Sequence, residues 1–206
     1  MTPLQRIVRQ PLFWITLVLA LFALPIGRSM LRRLPEAPKV FAPAPDFRLT
    51  DETGRPFERA RLDGRVWVAD FIFTRCAGAC PLMSARMEKI QKRTRQLGRA
   101  FHMVSFTADP ERDGPEELAA YARRYHANPR GWNFLTGPRD EIERVARAML
   151  LGVGREMSQA GLMEIVHAEK LVLVDQRGRI RGYFDATDDG VDELVSALAL
   201  VVNAAP

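Results

Sequence analysis

Val66-Trp-Val-Ala-Asp-Phe-Ile-Phe-Thr-Arg-Cys76-Ala-Gly-Ala-Cys80-Pro81 is the stretch on which the reading of this chain turns. Its first eight residues are apolar, β-branched or aromatic apart from Asp70, the pattern of a strand buried on both faces. Pro81 is acceptable in the first turn of a helix, and the residues after it predict one over Pro81–Leu97. Cys76 and Cys80 therefore stand where a buried strand hands over to a helix. A spacing of four places both sulfurs on one side of a helical turn, with about 6 Å between their Cα atoms. That separation permits a disulfide. It also lets both sulfurs grip one soft metal ion; thiolates select Cu(I) or zinc, and an added imidazole suits copper. The N-terminal end of a helix favours thiolate over thiol, because its N–H groups and dipole stabilise negative charge. These are the only two cysteines in the chain. A disulfide-stapled scaffold would need more of them, set further apart, and the loop this pair closes is too short to restrict the unfolded chain much. The pair reads as chemistry.

Asp70 interrupts the buried strand with a carboxylate, which costs free energy there unless paired or protonated. It is either an outward-pointing or structurally paired acid, or a proton-handling group beside the cysteines.

Outward from this stretch, strand-like and helix-like runs alternate. Strands are expected at Phe101–Phe106, Trp132–Leu135, Lys170–Asp175 and Arg179–Phe184, the last two joined by a hairpin turn at Gln176-Arg177-Gly178. Asp113-Gly-Pro-Glu116 resembles a capping box that opens a helix to about Tyr125. Further helices are expected over Pro138–Leu150 and Asp189–Val202. The order predicts an α/β sheet covered on both faces.

The first 33 residues read differently. Residues 11–27 contain no charge, and as a helix these 17 residues would span about 25 Å, the short end for a bilayer crossing. Arg28 follows Gly27 at once, with no small-x-small cleavage site, so an uncleaved anchor is expected over a signal peptide. Two arginines precede the segment and three arginines and a lysine follow it; the positive-inside count alone would put the following domain in the cytoplasm. Residues 34–45 hold four prolines and predict an extended spacer, leaving 46–206 as the domain. The formal charge of +5 belongs to the anchor region, because residues 1–40 carry six basic side chains against Glu36 alone. The other 166 residues carry 24 basic and 24 acidic side chains. That balance argues against nucleic acid as a partner, which would call for a basic folded domain.

Of the three histidines, His102 lies inside a strand and His126 ends a helix, where it can serve the carbonyl end structurally. His167 precedes the strand Lys170–Asp175 in a loop-like stretch, either a ligand or a surface histidine. Met83 and Met87 follow Cys80 on one helical face, and that spacing predicts core packing over copper ligation. The acids of Asp109–Asp113 fit a turn and cap.

At this point the sequence resembles the Sco/SenC copper proteins. Phe71-Ile-Phe-Thr-Arg-Cys76-Ala-Gly-Ala-Cys80-Pro81 is similar to the family's metal-binding signature. Asp109-Pro-Glu-Arg-Asp113 with Leu135-Thr-Gly137 is similar to its next block. His167 followed by Leu171-Val-Leu-Val-Asp-Gln-Arg-Gly178 and Tyr183-Phe184 is similar to its third. The resemblance covers roughly residues 45–200. It implies a thioredoxin-like fold with a central mixed β-sheet flanked by helices, preceded by an N-terminal transmembrane helix. It implies copper, Cu(I) or Cu(II), held by Cys76, Cys80 and His167, and delivery to the dinuclear copper centre of cytochrome c oxidase. The partners implied are the copper-accepting oxidase subunit, an upstream copper donor or thiol reductant, and the membrane through the N-terminal helix. The domain would lie in the periplasm, or in the intermembrane space if the protein is mitochondrial. One departure is that Ala77, Gly78 and Ala79 stand where many members carry Pro and Asp, so the loop lacks charged and hydroxyl side chains.

Two functions follow. A copper metallochaperone would not be an enzyme in the usual sense, and reduction of the pair would gate its loading. A membrane-anchored thiol–disulfide oxidoreductase would use the same cysteines to keep a partner's cysteines reduced. His167 argues for the first, since disulfide exchange does not require it. Asp70 argues for the second: its place six residues before Cys76 resembles the strand entering the thioredoxin active site, where a buried acid assists proton transfer.

Overall fold

In the computed structural model, the described residues are Pro11, Trp14, Ile15, Leu19 and 21–23, then 36–76, 78–150 and 168–203. The chain divides into two units, Met1–Glu36 and Ala37–Pro206. The described residues of the first are exposed, and all but Glu36 are helical. Among the described residues no helix is long and apolar enough to cross a membrane, and most of the expected anchor lies outside them.

The second unit is built on an eight-stranded mixed sheet. Its strands are β1 (Ala42–Pro43), β2 (Arg48–Asp51), β3 (Pro56–Glu58), β4 (Val66–Ile72), β5 (Phe101–Thr107), β6 (Trp132–Thr136), β7 (Lys170–Val174) and β8 (Arg179–Asp185). The order across the sheet is β1-β8-β7-β4-β5-β6-β2-β3. β4, β5 and β6 run parallel at its centre, and β7 lies antiparallel against β4. Central position explains the sequence of β4: all seven residues are buried, so both pleat faces need apolar side chains. The α-helices among its described residues are α1 (Ala79–Thr94), α2 (Pro115–Arg124), α3 (Arg139–Leu150) and α4 (Asp188–Asn203).

The two faces of β4 and β5 have different contents. On one, Trp67 and Phe106 meet Phe47, whose ring lies 5.2 Å from Phe106 and 6.5 Å from Trp67, and Phe71 stacks on Phe106. The other carries Asp70, which pairs in register with Ser105, and Ser105 in turn with Phe134. Tyr121 of α2 packs on Phe134 and shares a hydrogen bond of 2.9 Å with Ser84 of α1, so α1 and α2 cover this face.

Several elements differ from the sequence reading. α1 begins at Ala79, two residues early, and ends at Thr94. A tight turn, Arg95–Ala100, follows and breaks at Gly98, whose φ of +52° falls in the left-handed region that glycine tolerates. The capping box is not formed. Gly114 caps α2, without a side-chain bond, and Pro115 opens it. Asp113 turns its carboxylate the other way because buried donors at the ends of β4 and β5 claim it. The Pro-rich segment, expected as a spacer to residue 45, joins the second unit from Ala37. Ala42 and Pro43 pair with Ile180 and Arg179, and the Pro38 carbonyl accepts from the Arg181 guanidinium at 2.8 Å. The β2–β3 hairpin was likewise outside the reading; its strands of four and three residues are too short for a period-two pattern to register. The β7–β8 turn is as expected, with Gly178 at φ +69° and the Asp175 carboxylate accepting from the N–H groups of Arg177 and Arg179.

Candidate functional site

β4 ends at Ile72, and the chain turns through Thr74 and Arg75 to Cys76, whose N–H donates to the Phe73 carbonyl at 3.3 Å. α1 then starts with Gly78 as its cap residue and no side-chain cap. A helix start leaves N–H groups without intrahelical acceptors. One of them finds sulfur: the Cys80 N–H donates to Cys76 Sγ at 3.4 Å. Cys76 thus sits at the positive end of the helix dipole, half-buried, while Cys80 one turn on is fully buried. Both are thiols. Burial is the chief influence pushing the Cys80 thiol up; the Phe73 backbone opposes it, and negative charge at Cys76 and Asp70 adds to it.

Asp70 lies beneath this pair with no exposed surface. It does not point outward. Ser105 donates to its Oδ1 at 2.5 Å and accepts from Trp132 Nε1 at 2.9 Å. Its Oδ2 is buried without a hydrogen-bond partner among the described residues. Burial pushes the Asp70 carboxyl up to about 7, against the smaller opposing pull of the Ser105 hydroxyl. A carboxyl whose proton comes and goes near neutrality therefore sits on the same sheet face as the thiols.

Asp113 is the residue the sequence reading mistook. It is fully buried and gathers three donors: Thr74 N–H at 2.9 Å, Thr74 Oγ1 at 2.5 Å and Thr107 Oγ1 at 2.6 Å. It ties the loop that carries Cys76 to the end of β5. No local pattern announces this, because the partners lie 39 residues apart and only the β4–β5 register brings them together. A buried acid two residues before a proline helix start was the one available signal.

The remaining candidates are placed as follows. Met83 and Met87 are buried in the core, as expected. His102 is buried in β5 and hydrogen-bonded to Asn133 at 2.9 Å. His126 stands just past α2 at φ +51°, exposed, 3.3 Å from a Glu88 carboxylate oxygen. His167 and Ala77 lie outside the described residues. Among the described residues no group of three or more His, Cys, Asp or Glu side chains is close enough to hold one metal ion.

The sequence and the fold both have known counterparts. Residues 36–203 match the SCO1/SenC family model. The chain belongs to the SCO1/SenC family. A SCO1 protein homolog of Bacillus subtilis is 31% identical over 152 residues, covering 73% of this SCO1/SenC chain and 78% of the relative. The solved structure of BsSco, described as a member of the Sco family of cytochrome c oxidase assembly proteins with a disulfide switch, is 25% identical. It superposes with a TM-score of 0.69 over 83% of this chain and 100% of its own. Yeast Sco1 with copper bound, at 21% identity and a TM-score of 0.58, covers 84% of this chain and 98% of its own, and shows the likeness of fold. The SCO1/SenC fold here is thioredoxin-like, an α/β unit with a curled mixed sheet.

Proposed function

We propose that this SCO1/SenC protein binds one copper ion through Cys76, Cys80 and His167 and passes it to the dinuclear copper centre of cytochrome c oxidase. The observation that carries the reading is the thiol pair at the start of α1, with Cys80 N–H on Cys76 Sγ at 3.4 Å. Two sulfurs at one helix start are a soft donor set. The half-buried Cys76 can meet an incoming ion, and the buried Cys80 excludes water from its other side. Loading displaces the Cys80 proton, which burial makes hard to remove, so affinity falls as pH falls. A disulfide would remove both donors, so the redox state of the pair gates loading. Residues 11–27 would anchor the domain at the membrane, on the side away from the cytoplasm, where partner cysteines become oxidised.

The test is copper titration of the reduced protein. One equivalent binds, with sulfur-to-copper charge-transfer absorption in the Cu(II) form, and His167→Ala and Cys80→Ser each lose tight binding. A His167→Ala variant that binds as tightly as the parent overturns the three-ligand site.

Asp70 favours a second role on the same residues, reduction of a partner disulfide. The Cys76 thiolate attacks one partner sulfur and releases the other as a thiolate. Cys80, giving its proton toward Asp70, then attacks Cys76 and frees the second partner sulfur. Two electrons pass to the partner, and a Cys76–Cys80 disulfide remains. A disulfide-reductase rate that survives His167→Ala but falls in Asp70→Asn identifies this role.

A further inference from the structure

The opposite end of the same strands holds a cleft of about 840 Å³. Phe101, His102 and Met103 line it from the start of β5, and Asn133 from β6. Thr107 stands five positions along β5 from His102, about 16 Å at ~3.3 Å per residue, so the cleft is distinct from the cysteine site. Its charge is unlike the rest of the unit. Arg61, Arg65, Arg95, Arg99 and Arg130 line it, and no Asp or Glu does. Residues 41–206 carry 24 basic and 24 acidic side chains, so this concentration is local.

Elsewhere many arginines are met by acids, such as Arg59 by Asp46 and Asp63, Arg86 by Asp188, Arg144 by Glu141 and Arg181 by Asp175, while among the described residues Arg55, Arg75, Arg123, Arg124 and Arg177 are not and do not line the cleft. In the cleft only Arg61 has a carboxylate within ion-pair distance among the described residues, Asp51 at 3.8 Å, and its guanidinium also lies over the Phe57 ring. Arg65, Arg95, Arg99 and Arg130 have none among the described residues. The floor is polar and ordered. Asn133 Nδ2 donates to Glu52 at 3.1 Å, which leaves Asn133 Oδ1 to accept from His102 Nε2 at 2.9 Å. With its proton on Nε2, the ring presents Nδ1 as an acceptor toward Arg65 Nη1, 3.5 Å away. Glu52 itself is buried and also takes the Phe134 N–H, so its charge is committed behind the floor. His102 thus orients Arg65 without neutralising it.

We propose that this cleft binds a small, multiply charged oxyanion, a molecule bearing two or more phosphate or carboxylate groups. Clefts of this size take small molecules. Planar guanidinium groups match both kinds of oxyanion in paired hydrogen bonds. An incoming anion would meet four cations that have no internal carboxylate to give up.

Calorimetric titration of the metal-free full-length chain at constant ionic strength tests this, with inorganic pyrophosphate in one arm and citrate in the other. The expected result is saturable one-to-one binding of at least one probe; the arm that binds tells phosphate from carboxylate recognition. Arg65→Gln with Arg99→Gln together weaken it by about tenfold or more. Arg177→Gln, in the β7–β8 turn, leaves it unchanged, as does Cys76→Ser with Cys80→Ser. Circular dichroism checks that the arginine variants stay folded, and Arg130→Gln, at an exposed position, gives a second route to the same loss. Overturning results are no saturation by either probe at millimolar concentrations, binding indifferent to the cleft arginines, or binding lost in the double cysteine variant. A chain that ignores both small anions but binds polyglutamate or phosphatidylglycerol vesicles through these arginines also overturns the small-ligand assignment.

Discussion

The two ends of the β4–β5 pair solve the problem of charge in opposite ways. At the end beside the cysteines the charged groups are acids, and they are inside: Asp113 gathers three donors, and Asp70 has one donor and one bare oxygen. At the other end the cations outnumber the acids; the buried groups are Glu52, whose carboxylate accepts from Asn133 and the Phe134 N–H, and His102, which is neutral. Burial pushes its imidazole down to about 4, helped by Arg65 and Arg61 and opposed by Asn133. The comparison teaches that interior carboxylates at the cysteine end hold a short loop in shape and add to a rise in thiol proton affinity that burial mainly causes. Unpaired surface arginines organise nothing inside and remain available to a ligand.

The largest effect separating the two ends should come from Asp113→Ala. It leaves three donors at the cysteine end without an acceptor in a buried place, a loss on the order of 5 kcal/mol in stability by chemical denaturation. It should also loosen the turn that presents Cys76 and lower copper affinity. A variant within about 1 kcal/mol of the parent would show that water replaces the carboxylate and that the clamp is dispensable.

Asp70→Asn comes next. The folded value near 7 lies above the ordinary 3.8, so between these values the folded chain keeps a proton that the unfolded chain has lost. Stability from this group is complete below about pH 4 and is lost as pH rises through 7, on the order of 4 kcal/mol in all. The asparagine variant has no such loss, so relative to the parent it gains stability between about pH 4 and pH 7. Denaturation curves with the same pH dependence in both proteins would remove Asp70 from the set of neutral-range groups.

His102 tilts the other way and by less. Its folded value near 4 lies below the ordinary 6.5, so its contribution is present above pH 6.5 and is lost as pH falls toward 4, by at most about 3 kcal/mol. His102→Gln should flatten that acid limb, between about pH 4 and pH 6.5, while leaving the behaviour from pH 6.5 to pH 7 to Asp70. An unchanged acid limb would mean that the ring titrates as an exposed histidine does, against its burial.

Much of this was legible in the residues themselves. A run of eight, seven of them apolar, could only be a buried central strand, because both of its faces must be covered. Two cysteines directly after it could only stand at the sheet's end, where the chain leaves the core. Gln176-Arg177-Gly178 marked the β7–β8 hairpin turn, and Gly178 there takes a positive φ. These are local facts, set by periodicity and by which backbone angles a residue accepts. Tertiary structure alone decided the rest. Asp113 looked like a helix cap, since capping is the commonest local use of an aspartate before a helix. It became a loop clamp because parallel pairing of β4 and β5 put Thr74 and Thr107 within its reach. Asp70 could have faced water; seven buried positions in β4, with α1 and α2 over its face, kept it inside and moved its proton affinity toward neutrality. The arginines of the cleft come from three separate segments, 61–65, 95–99 and 130, far apart along the chain. Their proximity, like every effect that depends on distance through space, exists only once the sheet has brought those segments to one end.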